Sequence, residues 1–214
     1  MYTHQKNYIS AGAPAGKATG ALIMLHGRGG SAADILGLAG ELKNVNEFAV
    51  YAPQASKNSW YPHSFMAPDA SNQPALNSAL EVIGKVVEEI LAAGIPAERI
   101  FFLGFSQGAC LTLEYIARNA MRYGGAVAFT GGLIGEELNK SNYRGSFAGT
   151  PVLITTGDPD PHVPLARVEA SVQQLQEQNA NVKLQVYKGR PHTILRDELK
   201  LADEWVFGAQ PPVL

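Results

Sequence analysis

The chain has 214 residues, 46% of them hydrophobic, and a formal net charge of −2. That length suits one domain with a sizeable core. The balance leaves no basic field to hold nucleic acid and no apolar run long enough for stable membrane insertion. The one cysteine, Cys110, excludes an internal disulfide, and residues 1–14 lack an apolar signal core, so a cytoplasmic protein is expected.

In chain order, Tyr8-Ile9-Ser10 reads as an edge strand, and a Gly/Ala/Pro-rich stretch follows it. Residues 21–25 are continuously apolar, the mark of a strand covered on both faces. They run into His26-Gly27-Arg28-Gly29-Gly30-Ser31, with a helix expected from a cap near Ser31 to about Leu42. Residues 47–52 form a second interior strand. Residues 53–74 show no periodicity and hold four prolines together with Trp60, Tyr61, Phe65 and Met66. A loop this long often serves as a lid or a binding wall, although such aromatics also anchor a loop to the core. An amphipathic helix then places Leu76, Leu80, Ile83, Val87 and Ile90 on one face and stops at Gly94. Strands follow at 99–103, 126–129, 151–156 and 182–187, the last alternating as an edge strand does. Helices are expected at 109–117, around Leu165 to Leu175, and in a final segment presenting Leu195, Leu199, Ala202 and Val206. Regular alternation of strand and helix predicts a mainly parallel central sheet with helices on both faces, in a single domain spanning 1–214.

The chemistry gathers where these strands end, because ligands collect at the carboxyl ends of an open parallel sheet. Strand 99–103 leads into Gly104-Phe105-Ser106-Gln107-Gly108, a G-x-S-x-G between a strand and a helix. This is the setting of a nucleophile elbow, whose strained turn exposes the Ser Oγ and whose glycines let two backbones approach. Strand 151–156 delivers Asp158 and Asp160, and strand 182–187 delivers His192. Ser, Asp and His thus arrive in the chain order of the α/β-hydrolases. A Ser hydroxyl needs a neutral His to take its proton, and a carboxylate on the far ring nitrogen sets the tautomer and steadies the imidazolium. His192 is preferred to His162 as the base, since His162 shares its loop with the acid. The loop-tip position favours Asp160 over Asp158, which stays in play as a brace of the same loop. The Gly-rich turn at 26–31 matches neither phosphate-binding pattern, so its N–H groups are assigned to an oxyanion together with that of Gln107. Cys110 reads as a small buried helix residue, His4 and His63 as surface residues, and Glu136-Glu137 as a solvated face. No Cys/His cluster has metal spacing, and no metal or cofactor is expected.

Leu25-His26-Gly27, the elbow, the run 157–164 (Gly-Asp-Pro-Asp-Pro-His-Val-Pro) and the run 187–192 (Tyr-Lys-Gly-Arg-Pro-His) resemble the phospholipase/carboxylesterase family of small α/β-hydrolases, which includes the acyl-protein thioesterases. The resemblance runs from about residue 20 onward and implies an α/β-hydrolase fold. It implies a catalytic triad of Ser106, Asp160 and His192, and an oxyanion hole from the N–H groups of Arg28 and Gln107. Asn58-Ser59-Trp60 is similar to a Ser-Trp element near the family's acyl site, so Trp60, Tyr61 and Phe65 are expected to wall the substrate. The eukaryotic thioesterases carry Leu-Gly-Asp where this chain has Arg28-Gly29-Gly30. The Arg28 side chain is therefore expected either to meet an anionic substrate group or, preferably, to point to solvent.

The expected activity is hydrolysis of carboxylic esters or thioesters of small to medium acyl groups, through an acyl-enzyme. The expected partner is a small-molecule ester or thioester, and a homodimer is left open. Acyl-protein thioesterase or lysophospholipase action is the nearest alternative. Dienelactone hydrolysis is disfavoured because such sites use Cys at the elbow. A non-catalytic binder is disfavoured because no triad member is missing.

Overall fold

The computed structural model describes residues 2–208; the termini of the 1–214 domain expectation lie outside the described residues. Seven strands form one sheet in the order β1-β3-β2-β4-β5-β6-β7. They are β1 (Tyr8–Gly12), β2 (Gly20–Leu25), β3 (Phe48–Pro53), β4 (Ile100–Phe105), β5 (Gly125–Phe129), β6 (Pro151–Asp158) and β7 (Asn181–Lys188). Only β1 runs antiparallel, against β3. The helices are α1 (Ala32–Leu36), α2 (Ala75–Ala92), α3 (Gln107–Arg118), α4 (Leu165–Glu177) and α5 (Arg196–Ala202).

The continuous apolar runs of β2 and β4 have their cause in this layering, because each strand buries alternate residues on opposite faces. Ile23 and Phe102 join Leu76, Ile83, Ile90, Leu111 and Val168 in a core under α2, α3 and α4. Met24 and Leu103 join Ile35, Leu199, Val206 and Phe207 in a second core under α1 and α5. The helix at Ser31 is capped as expected, with the Ser31 and Asp34 side chains bonding each other's backbone N–H, but α1 gives way to 3-10 turns from Gly37 to Glu41. The last helix also departs from a single apolar face. It widens into a π-turn over Asp203–Phe207, and Leu195 lies 36% exposed ahead of its first turn. Among the described residues no helix is long and apolar enough to cross a membrane.

From β2 the chain moves outward to β3, then α2 carries it back across to β4 on the other side of β2. This reversal opens a crevice at the carboxyl ends of β2 and β4. Two glycines set how tightly β4, α3 and β2 meet there. A Cβ on Gly104 would stand 2.3 Å from the Gly108 carbonyl oxygen, and one on Gly108 would stand 2.1 Å from that of Leu25. Both distances fall well inside contact, and neither obstacle is a flexible side-chain end.

Gly108→Ala should therefore force β2 and α3 apart at the core rather than displace a side chain. The expected loss is about 3 kcal/mol of stability, in the upper range of overpacking effects, read as a lowered urea midpoint. A midpoint equal to that of the parent would contradict this account of the crossing.

Candidate active site

Ser106 sits between β4 and α3 at φ 53° and ψ −115°, a left-handed region that a non-glycine residue enters only under constraint. The constraint is visible on both sides. Its N–H donates to the Phe129 carbonyl at the end of β5, and its own carbonyl accepts from Cys110 N–H in the first turn of α3. The side chain is left in the crevice. His192 Nε2 lies 2.8 Å from Ser106 Oγ, and His192 Nδ1 lies 2.9 Å from Asp160 Oδ2. The Asp160 side chain is fully buried, whereas His192 is about one-fifth exposed. Burial works to raise the Asp160 pKa, but the bonds from His192 and from the N–H groups of His162 and Val163 outweigh it and hold the carboxyl below its ordinary value.

Asp160 is thus the carboxylate brought to His192. Asp158 is exposed at the end of β6, where its backbone carbonyl accepts from Gly189 N–H. His162 is exposed as well; its ring stands edge-on to that of His192 at 5.0 Å, beside the Ser–His–Asp chain and not part of it.

The two backbone N–H groups expected at an oxyanion belong to Gln107 and Arg28. Gln107 opens α3, so its N–H belongs to the first helical turn, which no intrahelical carbonyl reaches. Arg28 lies in the turn closed by the bond from Gly30 N–H to the Gly27 carbonyl. A Cβ on Gly27 would touch Phe105 at 3.2 Å and Ser106 Cβ at 3.5 Å, so this turn is pressed against the elbow.

The support beneath that turn is a chain of buried polar groups that periodicity does not reveal. His26 is buried, with Nδ1 2.7 Å from the Gly27 carbonyl and Nε2 accepting from Ala55 N–H, and burial lowers its pKa so that the ring stays neutral. Trp60 donates Nε1–H to the His26 carbonyl. The Gln107 side chain accepts from Trp60 N–H and donates to the Tyr61 carbonyl. His4 accepts from Ser56 N–H and contacts the Trp60 carbonyl at 2.9 Å.

Two expectations change here. His4 is not a surface residue but a buried pin for the loop at 53–74. Trp60 is 0% exposed and absent from the lining of the cleft, so it braces the turn after β2 and does not wall the cleft. Its indole N–H finds its partner inward, which draws the ring into the core. Tyr61 and Phe65 do line the cleft, a cavity of about 570 Å³ above Ser106 that Phe105 and Val163 also bound. Cys110 reaches it too, with its thiol pushed up to about 12 by burial, so it stays protonated. The Arg28 side chain is exposed, yet it is not loose in solvent. It donates to Ser59 Oγ and to the Pro62 and His63 carbonyls.

The loop that carries His192 is held by a second buried network. Arg190 is 4% exposed and donates to Thr130 Oγ1 and to the Thr193 carbonyl. Its Nε stands 3.7 Å from Glu198 Oε2, too far for a hydrogen bond but close for charge attraction at a buried site. Glu198 in turn accepts from Thr155 Oγ1 on β6 and from Leu195 N–H ahead of α5. Gly157 completes the fit, since a Cβ there would stand 2.6 Å from the Arg190 carbonyl oxygen. Only the position of Arg190 directly before Pro191-His192 hinted at this role in the sequence.

A family profile described as Phospholipase/Carboxylesterase matches residues 6–207. The crystal structure of a phospholipase/carboxylesterase from Dyadobacter fermentans superposes with a TM-score of 0.95 at 60% identity, covering 96% of this chain and 98% of that one. An acyl-protein thioesterase 1 from Eremothecium gossypii is 30% identical over 152 residues, 70% of this chain and 62% of that protein. Acyl-protein thioesterase 1 of Saccharomyces cerevisiae is 34% identical over 125 residues, 58% of this chain and 55% of that protein. The matches to such curated relatives thus span a little over half of their length.

Removing Glu198 tests the second network. Glu198→Ala would strand a buried guanidinium and expose the Leu195 N–H, and should cost about 3 kcal/mol of stability. Chemical denaturation should show this loss, together with a fall in kcat larger than any change in KM. A fully stable variant with parental kcat would remove Glu198 from the support of His192.

Proposed function

This chain belongs to the phospholipase/carboxylesterase family, and on that premise we propose that it is a serine hydrolase of carboxylic esters and thioesters, acting as one domain through Ser106, His192 and Asp160. The observation that carries the proposal is the unbroken chain from hydroxyl to imidazole to buried carboxylate, at 2.8 and 2.9 Å.

In the first half-reaction His192 Nε2 takes the Ser106 proton as Oγ attacks the acyl carbon. The carbonyl oxygen, now carrying charge, accepts from the N–H groups of Arg28 and Gln107. Asp160 keeps the Nδ1–H tautomer and balances the imidazolium. Collapse breaks the bond to the leaving oxygen or sulfur, which takes the proton from His192, and the acyl group stays on Oγ. Water then repeats the cycle. His192 removes its proton, the hydroxide equivalent attacks the acyl-enzyme, and Ser106 recovers its hydrogen as the carboxylic acid departs.

Small to medium acyl groups suit the cleft. Tyr61, Phe65, Phe105 and Val163 supply apolar wall within about 570 Å³ that must also admit the leaving group. Each buried methylene contributes about 0.8 kcal/mol, so specificity should climb with acyl length only until the wall is used up. Acyl-protein thioesterase action is the second reading, favoured by the names of the 30% and 34% identical relatives.

Ser106→Ala should lower kcat by roughly 10³-fold or more, with the fold retained. Asp160→Asn should cost far more turnover than Asp158→Asn, because only the first disturbs the imidazole tautomer. Near-parental turnover in Ser106→Ala, or equal losses in the two Asn variants, would refute the assignment.

Across p-nitrophenyl esters from acetate to palmitate, kcat/KM should peak at short to medium length. A steady rise through palmitate would favour the thioesterase reading instead.

A further inference from the structure

The Arg28 guanidinium stands at the cleft that holds Ser106, and its hydrogen bonds are unevenly used. A guanidinium has five N–H donors. Nη1 donates to Ser59 Oγ and the Pro62 carbonyl, and Nη2 donates to the His63 carbonyl. Among the described residues the Nε–H and one Nη2–H have no partner, two donors that can serve the oxygens of a carboxylate or phosphate. The group is held for this use. Three bonds to the loop at 59–63 tether its head, and its carbon lies 5.9 Å from the centroid of the buried Tyr61 ring. A role limited to clamping the loop would be served by the three bonds alone and does not account for a cation left exposed at the mouth.

A second observation concerns the lining of the cleft. The chain as a whole is acidic, with 19 Asp and Glu against 17 Lys and Arg. The cleft departs from this balance, with Arg28 as the one formally charged side chain of its lining. Arg28, His63, His162 and His192 line it, and no carboxylate does. Asp160 sits behind His192, its side chain fully buried and its oxygens turned to His192 and to the N–H groups of His162 and Val163. A cleft whose lining carries one guanidinium and no carboxylate favours negative charge in what enters, and its concave walls concentrate that field.

We propose that the substrate carries an anionic group, a carboxylate or phosphate, which the remaining N–H donors of Arg28 receive while Ser106 attacks a separate ester or thioester carbonyl. The inference rests on the serine hydrolase reading. It names Arg28 as a specificity determinant through its side chain, separate from the role of its backbone N–H.

The test compares charged and neutral esters of matched shape. In one arm the acyl part varies, as the mono-p-nitrophenyl ester of adipic acid against that of its half-amide. In the other the alcohol part varies, as 4-carboxyphenyl butyrate against 4-carbamoylphenyl butyrate. In at least one arm the carboxylate should be favoured in kcat/KM by about tenfold or more, the scale of a charge-assisted contact. Added salt should shrink that ratio. Arg28→Gln should bring it near unity, and Arg28→Lys should keep part of it. Each ratio is taken on one enzyme preparation, so loss of folded protein cancels. The arm that shows the preference tells which side of the scissile bond bears the anion. Hydrolysis of both neutral esters with no preference in either arm would overturn the inference and leave the hydrolase reading standing. So would a preference that survives Arg28→Gln undiminished. Failure to hydrolyse any of the four esters would overturn both.

Discussion

The close crossing of three backbones at the elbow is the constraint on which the site depends. β4 must turn into α3 within a few residues, while α3 starts hard against the end of β2. Gly104 and Gly108 remove the Cβ atoms that would stand 2.3 and 2.1 Å from carbonyl oxygens. The cost appears at Ser106, whose φ of 53° stores about 1–3 kcal/mol of backbone strain. The sheet core over-determines that conformation: Phe102, Leu103, Val127 and Phe129 are all fully buried around it. The same crossing presses the turn after β2 against Ser106, where a Cβ on Gly27 would stand 3.5 Å from Ser106 Cβ.

The rest of the site is carried by loops, and each is fastened by a buried polar group rather than by apolar packing alone. The loop at 53–74 is threaded on His4, His26, Trp60 and Gln107. Asn72, also fully buried, accepts from His63 N–H and donates to the Ser64 carbonyl. The segment after β5 is held by Glu114, a buried carboxylate on α3 that accepts from Arg118, Ile134 N–H and Tyr143 Oη. Burial raises its pKa despite these partners. The loop of His192 hangs on Arg190 and Glu198. Buried ionic groups of this kind add little net stability over apolar residues of the same shape, but losing one partner is expensive. Their directional bonds give each loop one preferred geometry, which a catalytic triad requires to within a fraction of an ångström.

This division also accounts for the exposed cation at the cleft. Arg28 follows a strand whose buried residues are fixed by the core, yet its side chain is free to join either solvent or the facing loop. It joins the loop through three acceptors and holds its charge at the rim of a cleft that no carboxylate lines.

Much of this was legible in the amino-acid sequence because it depends on local or periodic signals. Continuous apolar runs at 21–25 and 99–103 announce strands buried on two faces. Alternation at 182–187 announces an edge, and the glycines flanking Ser106 announce a close crossing. The chain order of Ser106, Asp160 and His192, each after its own strand, follows from the rule that a parallel sheet gathers such residues at one end. What only the tertiary structure decided is where long, flexible or amphipathic side chains turn. Trp60 lies in a loop without periodicity, and an indole there could equally face the cleft or the core. The His26 carbonyl, 34 residues away in the chain, drew it inward. His4 and Ser78 meet across 74 residues, and Arg190 and Thr130 across 60. Hydrogen bonds of that separation leave no pattern in a single sequence, because nothing in the spacing of either residue records which partner the fold will bring to it.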